Sequence, residues 1–112
     1  MTTRPVHERK AELFRTLGHP GRIRVLEVLA EGEQSVGGLQ PQIGLESSHL
    51  SQQLAVLRRA GLVVARREGS TVWYSLTSPV VADLMLAARR LLTEVLAGDA
   101  AAHAELRGQA GR

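Results

Sequence analysis

The amino-acid sequence predicts a mainly α-helical domain that carries one small β-hairpin, and three observations predict it. Hydrophobic residues recur at helical spacing along most of the chain, and between Val63 and Leu76 the period switches to two. A length of 112 residues suits a single core and excludes a large multi-step enzyme. Hydrophobic residues make up 44% of the chain, yet Phe14, Trp73 and Tyr74 are its only aromatic residues, so the core must be aliphatic.

Val6, Ala11, Leu13, Phe14 and Leu17 recur among charges and give a first helix, which Gly18-His19 ends. Pro20 fits the first turn of a second helix, where a missing N–H costs nothing, and Ile23, Leu26, Val28, Leu29 and Ala30 carry it to Glu31-Gly32. Ser35 is a candidate N-cap for a third helix through Leu39 and Ile43. Gly37, Gly38 and Pro41 weaken that helix and predict it short or bent. After Gly44, the segment Ser47 to Arg59 places Leu50, Leu54 and Leu57 on one stripe, and Gly61 supplies its stop.

Val63–Arg67 and Thr71–Leu76 are β-rich runs around Glu68-Gly69-Ser70, where Gly69 can take a positive φ. After Ser78-Pro79 a final helix is expected from Val80 to about Leu96. Residues 1–97 thus form one domain, and the Ala- and Gly-rich residues 98–112 are expected to fray. Two helices joined by a tight turn and followed by a two-stranded hairpin make a winged helix-turn-helix, whose second helix enters the DNA major groove.

No stretch approaches the apolar length of a membrane span and no signal-like segment opens the chain, so a cytoplasmic protein without a membrane partner is expected. Cysteine is absent, which excludes disulfides, thiolate-bound metal and cysteine nucleophiles. The net charge is only +3, but 13 of the 14 basic residues are arginine, the side chain best suited to bidentate contacts with phosphate or bases. An enzyme is not expected, because the histidines are scattered and no nucleophile motif is present.

On the fourth helix Ser48, Gln52, Ala55 and Arg59 fall opposite the leucine stripe, flanked by His49 and Ser51. That face is polar but uncharged until its end. A Gln amide can pair bidentately with adenine, and Ser hydroxyls donate or accept as required. The candidate DNA-binding set is Ser47, Ser48, His49, Ser51, Gln52, Gln53 and Arg59 on this helix, with Arg66, Arg67 and Ser70 on the wing. A plain solvated helix face is the alternative, as is a protein-binding winged helix, although the latter calls for an apolar or acidic face. Arg66 and Arg67 are adjacent on a strand and point to opposite faces, so one is free to meet phosphate unless both merely keep an edge soluble. Tyr74, sharing a face with Val72 and Leu76, reads as core rather than as a stacking platform.

The last helix carries an apolar arc of about 180°, wider than the roughly 100° stripe that an ordinary surface helix needs. Ala87, Val80, Leu91, Leu84, Val95, Ala88, Val81, Leu92, Met85 and Leu96 fill it, and Leu86 alone violates the division. The spare width suits the same helix of a twofold partner, with a central helix of a small monomer as the alternative. Leu13, Phe14, Leu84, Ala88, Leu91 and Val95 are the candidate dimer-interface residues.

Three blocks now make a specific match: LGHPGRIRVL from Leu17 to Leu26, SHLSQQLAVLRRAGL from Ser48 to Leu62, and RREGSTVWYSL from Arg66 to Leu76. They resemble the helix-two entry, recognition helix and wing of the ArsR/SmtB family of bacterial winged-helix transcription regulators, and the resemblance spans about Glu8 to Leu96. It implies a homodimer built from the first and last helices. It also implies binding to double-stranded DNA at an inverted-repeat operator, often with affinity altered by a metal or another inducer. A repressor is expected, since occluding a promoter requires only binding; an activator, or a regulator that senses no metal, is the alternative.

The departures from the family pattern concern sensing and one cap. His19 stands where many relatives carry an Asp N-cap, and Pro41 is unusual in the third helix. Gln34–Leu39 lies where thiol-sensing members place Cys-x-Cys and contains no cysteine. Ser78, Val80, Leu91 and Glu94 occupy the positions of a second metal site and keep one ligand of four. The remaining candidate metal ligands are His7, with Asp99 and His103 at i, i+4 if the last helix reaches them. Such a set suits Ni(II) or Zn(II), the alternative being a solvated tail.

Overall fold

The computed structural model describes residues 4–110, the side chains of residues 102, 103 and 105–110 excepted. Helix α1 (Val6–Leu17) stops at Gly18, and α2 (Pro20–Leu29) starts on a proline at its first position. His19 lies extended between them, and its Nδ1 accepts the Gly21 N–H at 3.0 Å. The imidazole therefore caps α2 in place of the carboxylate that the family pattern favours. Helix α2 ends at Leu29, short of the expected Glu31-Gly32, which instead form the turn that follows.

A two-residue strand, β1 (Gln34–Ser35), precedes α3 (Val36–Ile43). Ser35 caps α3 as expected, its Oγ accepting the Gly38 N–H at 3.1 Å. Helix α3 keeps Pro41 inside and ends on Gly44, whose φ of 79° closes the turn into α4 (Ser47–Arg59). On α4 the expected stripe is realised in full, for Leu50, Leu54 and Leu57 are buried.

Strands β2 (Val63–Glu68) and β3 (Thr71–Leu76) pair antiparallel, with Glu68 opposite Thr71, so Gly69-Ser70 is a two-residue turn. Gly69 has a φ of 62°, and no other residue type among those described has a positive φ. A positive φ at the first turn position only is the signature of a type II′ hairpin. The sheet has a third strand that the sequence reading lacks: β1 pairs with the free edge of β3, Gln34 opposite Tyr74 and Ser35 opposite Trp73. Two residues leave no periodicity to detect. The edge is nonetheless occupied, and all of β3 is half-buried rather than divided into a core face and an open one.

The buried side chains are Leu17, Val25, Leu26, Val28, Leu29, Leu39, Leu50, Leu54, Leu57, Val63, Val81 and Met85, an aliphatic core without an aromatic ring. The chain divides into two compact units, Met1–Ala82 and Asp83–Arg112. The first holds α1 to α4 and the sheet, a winged helix-turn-helix. The second is the greater part of α5 (Pro79–Ala110). Helix α5 runs well past Leu96, where the sequence reading ends it, so residues 98–110, expected to fray, belong to a helix. Ala97, Ala100, Ala101, Ala102 and Ala104 are the strongest helix formers and outweigh Gly98 and Gly108. Among the described side chains of α5, only Val81 and Met85 are buried. Leu84 is half-buried, and the rest of the apolar arc, with Leu91, Leu92, Val95 and Leu96, is exposed, as is the outlying Leu86.

Candidate nucleic-acid interface

Burying Leu50, Leu54 and Leu57 turns the opposite side of α4 outward, because about 100° separates successive residues of a helix. Ser47, Ser48, His49, Ser51 and Gln52 are all exposed there. Their placement at the N-terminal half of α4 matches the end of a recognition helix that meets base edges. Glu46 is the N-cap of the helix, and its carboxylate accepts from Ser48 Oγ at 2.8 Å. The sequence reading places no carboxylate beside this face. Gln52 makes no hydrogen bond among the described residues and keeps both amide functions available.

Two of the α4 candidates are placed elsewhere. Gln53 is half-buried, and its Oε1 accepts from Arg22 Nε at 2.7 Å. Arginine has no acceptor, so the amide oxygen must face it, and a bidentate contact with adenine is closed to Gln53. Arg59 lies at the far end of α4, on a groove of about 660 Å³ shared with α1 and lined by Val6, Arg9, Lys10, Leu13 and Val56 among others. It is thus removed from the exposed N-terminal face. Helical phase assigns the faces of α4 but not the partners of its flanking residues, so Gln53 and Arg59 are not separable from the rest by sequence.

On the wing the two arginines diverge as strand geometry requires. Arg66 is bound by two carboxylates, Nη2 to Glu33 Oε1 and Nη1 to Glu68 Oε2, each at 2.7 Å. These hydrogen bonds, Glu33 first and Glu68 second, raise its pKa, and its charge is already paired with carboxylates. Arg67 alternates to the sheet face that carries Val63 and Ala65. It is exposed and has no ion pair among the described residues. Ser70 is exposed in the turn beside it. Of the two wing cations, Arg67 is therefore the one without a carboxylate partner among the described residues. The sequence signal for Arg66 was present in Glu68, two residues along the same strand face, whereas Glu33 is remote in the chain.

Of the candidate interface residues, Phe14, Leu91 and Val95 are 59%, 63% and 49% exposed, and Ala88 is exposed as well. Leu13 and Leu84 are half-buried. His7 lies exposed on α1 and Asp99 exposed on α5, in different units of the chain. Helix α5 does reach position 103, but the His103 side chain lies outside the described residues. Among the described residues no three His, Asp or Glu side chains cluster as metal ligands would, and no helix is long and apolar enough to cross a membrane.

Comparison with known proteins places this geometry. Residues 19–64, from the α2 cap into β2, match the model of the bacterial regulatory protein arsR family. The uncharacterised HTH-type transcriptional regulator Rv0081 of Mycobacterium tuberculosis is 51% identical over 108 residues, covering 96% of this chain and 95% of its own. Its crystal structure superposes with a TM-score of 0.80 at 52% identity, covering 87% of this chain and 98% of that one. The biofilm growth-associated repressor of Xylella fastidiosa is 47% identical over 75 residues, 67% of this chain and 66% of its own. The solution structure of the homodimeric winged helix-turn-helix DNA-binding domain Mb0332 from Mycobacterium bovis superposes with a TM-score of 0.72 at 27% identity, covering 84% of this chain and 92% of that one. The chain belongs to the arsR family of bacterial regulatory proteins, which are DNA-binding transcription regulators and not enzymes.

Proposed function

We propose that the protein is a cytoplasmic homodimeric repressor that binds an inverted repeat in double-stranded DNA. The observation that carries this reading is the exposed Ser48–Ser51–Gln52 face of α4, held outward by three buried leucines, with no hydrogen bond from the Gln52 side chain among the described residues. Helix α4 supplies the base-edge contacts, through Gln52 to adenine and through Ser47, Ser48, His49 and Ser51 to whatever donors and acceptors the groove presents. Arg67 and Ser70 take phosphate on the wing. Phosphate contacts set register and affinity, and the helix sets sequence.

Dimerisation brings two such helices to matched half-sites about one DNA turn apart. The exposed apolar arc of α5 supplies a self-complementary surface, as the homodimeric state of Mb0332 supports, and Phe14 of α1 is a second exposed apolar candidate. Repression is favoured by the name of the Xylella relative. Thiolate chemistry is closed to a chain without cysteine, so As(III), Cd(II) and Hg(II) are no part of the proposal. The donors left for a metal signal such as Ni(II) or Zn(II) are nitrogen and oxygen, His7 and Asp99 among those described.

The test is transcription in vitro from the protein's own promoter, run beside a footprint on the same fragment. Protection of the promoter with a fall in transcript supports the reading. Protection with a rise in transcript would make the protein an activator, and no protection of any duplex would remove the DNA-binding proposal.

A further inference from the structure

Among the described residues, one side-chain hydrogen bond joins α4 to another element, and it ends on Arg22. The three buried leucines set which face of α4 points outward, but apolar contacts are non-directional and define the fine orientation of the helix less sharply than a hydrogen bond does. The Arg22 guanidinium is directional. Its Nε reaches Gln53 Oε1 at 2.7 Å, and its Nη1 reaches the Thr16 carbonyl at 3.0 Å.

The Thr16 carbonyl needs that donor for a reason legible in the sequence. It lies in the last turn of α1, and the residue four positions on is Pro20, which has no N–H to give. Arg22 supplies the missing donor and so anchors its planar head at the end of α1. The same rigid fork then holds one flank of α4. Three helices meet on one guanidinium: α1 through Thr16, α2 through Arg22 itself, and α4 through Gln53.

We infer that Arg22 is a positioning residue that sets the orientation of the recognition helix through Gln53, and that Gln53 acts by receiving Arg22 rather than by touching DNA. The inference rests on the reading of α4 as the DNA-reading helix. It makes α1, which carries Phe14 of the proposed dimer surface, mechanically continuous with the reading helix through a single side chain. Its consequence is specific: the arrangement matters for discrimination between sequences, not for attraction to phosphate.

The experiment measures Kd for the operator and for random duplex at one salt concentration, for the wild type, Arg22→Met, Gln53→Met and Gln53→Glu. Circular dichroism and sedimentation check fold and assembly for each variant. Gln53→Met removes the acceptor yet leaves the Arg22–Thr16 bond intact, and so keeps the test open if Arg22→Met fails to fold. Losing the link should cut the ratio of random to operator Kd by about tenfold or more, because a hydrogen bond to a charged group has been lost. Random-duplex affinity should hardly change. Gln53→Glu should keep most of the ratio, since a carboxylate oxygen accepts from Arg22 as the amide oxygen does. If Gln53→Glu loses operator binding as severely as Gln53→Met, Gln53 is a DNA contact and the inference is overturned. An unchanged ratio in Gln53→Met would overturn it as well. Failure of the underlying reading has a separate signature, a wild type that shows no preference for any sequence.

Discussion

Gln52 and Gln53 are neighbours of the same residue type in opposite environments. Gln52 is exposed and has no side-chain hydrogen bond among the described residues, whereas Gln53 spends its oxygen on Arg22. Replacing Gln52 with Ala should therefore cost about 1 to 3 kcal/mol on the operator and little on random duplex, as read by titration of both DNAs. Equal losses on the two would remove Gln52 from the reading face. Arg67 and Arg66 divide in the same way. Arg67→Ala should weaken operator and random DNA alike and lower the salt slope by roughly 1, measured as log Kd against log salt. Arg66→Ala releases Glu33 and Glu68 and should act through the wing rather than through phosphate counting. The sequence distinguished the faces of these residues but not their occupancy. Helical and strand phase are local quantities, whereas the partners Arg22 and Glu33 lie 31 and 33 positions away in the chain.

Among the elements, α1, α3, α4 and β3 were legible in the sequence because each has a strong period or an unambiguous boundary. Pro20, Gly44, Gly61 and Gly69 mark starts, stops and turns by chemistry rather than by statistics. Two of the misreadings, beside the early end of α2, have clear physical causes. Strand β1 is stabilised by the waiting edge of β3 and not by any pattern of its own, and α5 continues on alanine propensity after its amphipathic signal has faded. The hairpin offers a check on this scale. Gly69 holds a φ of 62° with open space around it, so Gly69→Ala should meet no clash and should lose about 1 kcal/mol to left-handed backbone strain alone. Thermal unfolding would read this as a small fall in Tm. A neutral result would mean that the turn relaxes to another type.

For the whole molecule, the exposure of α5 sharpens what a dimer requires. Leu91 is 63% exposed in the single chain, so a carboxylate there meets water in a monomer and loses it only at an interface. Leu91→Glu should thus leave the fold intact, with an unchanged circular dichroism spectrum, and dissociate the dimer at a penalty of several kcal/mol. Sedimentation should find a monomer, and tight operator binding should disappear with the second half-site. A folded Leu91→Glu dimer would move the interface off this arc. The central claim, that a twofold pair of α4 helices reads duplex DNA, is tested most directly by enriching binding sites from a pool of random duplex with the wild-type protein. The account predicts an inverted repeat whose half-sites are centred about 10 base pairs apart or a multiple of that, rich in adenine at the positions where Gln52→Ala relaxes selection. A pool that converges on a single asymmetric site, or does not converge at all, would contradict it.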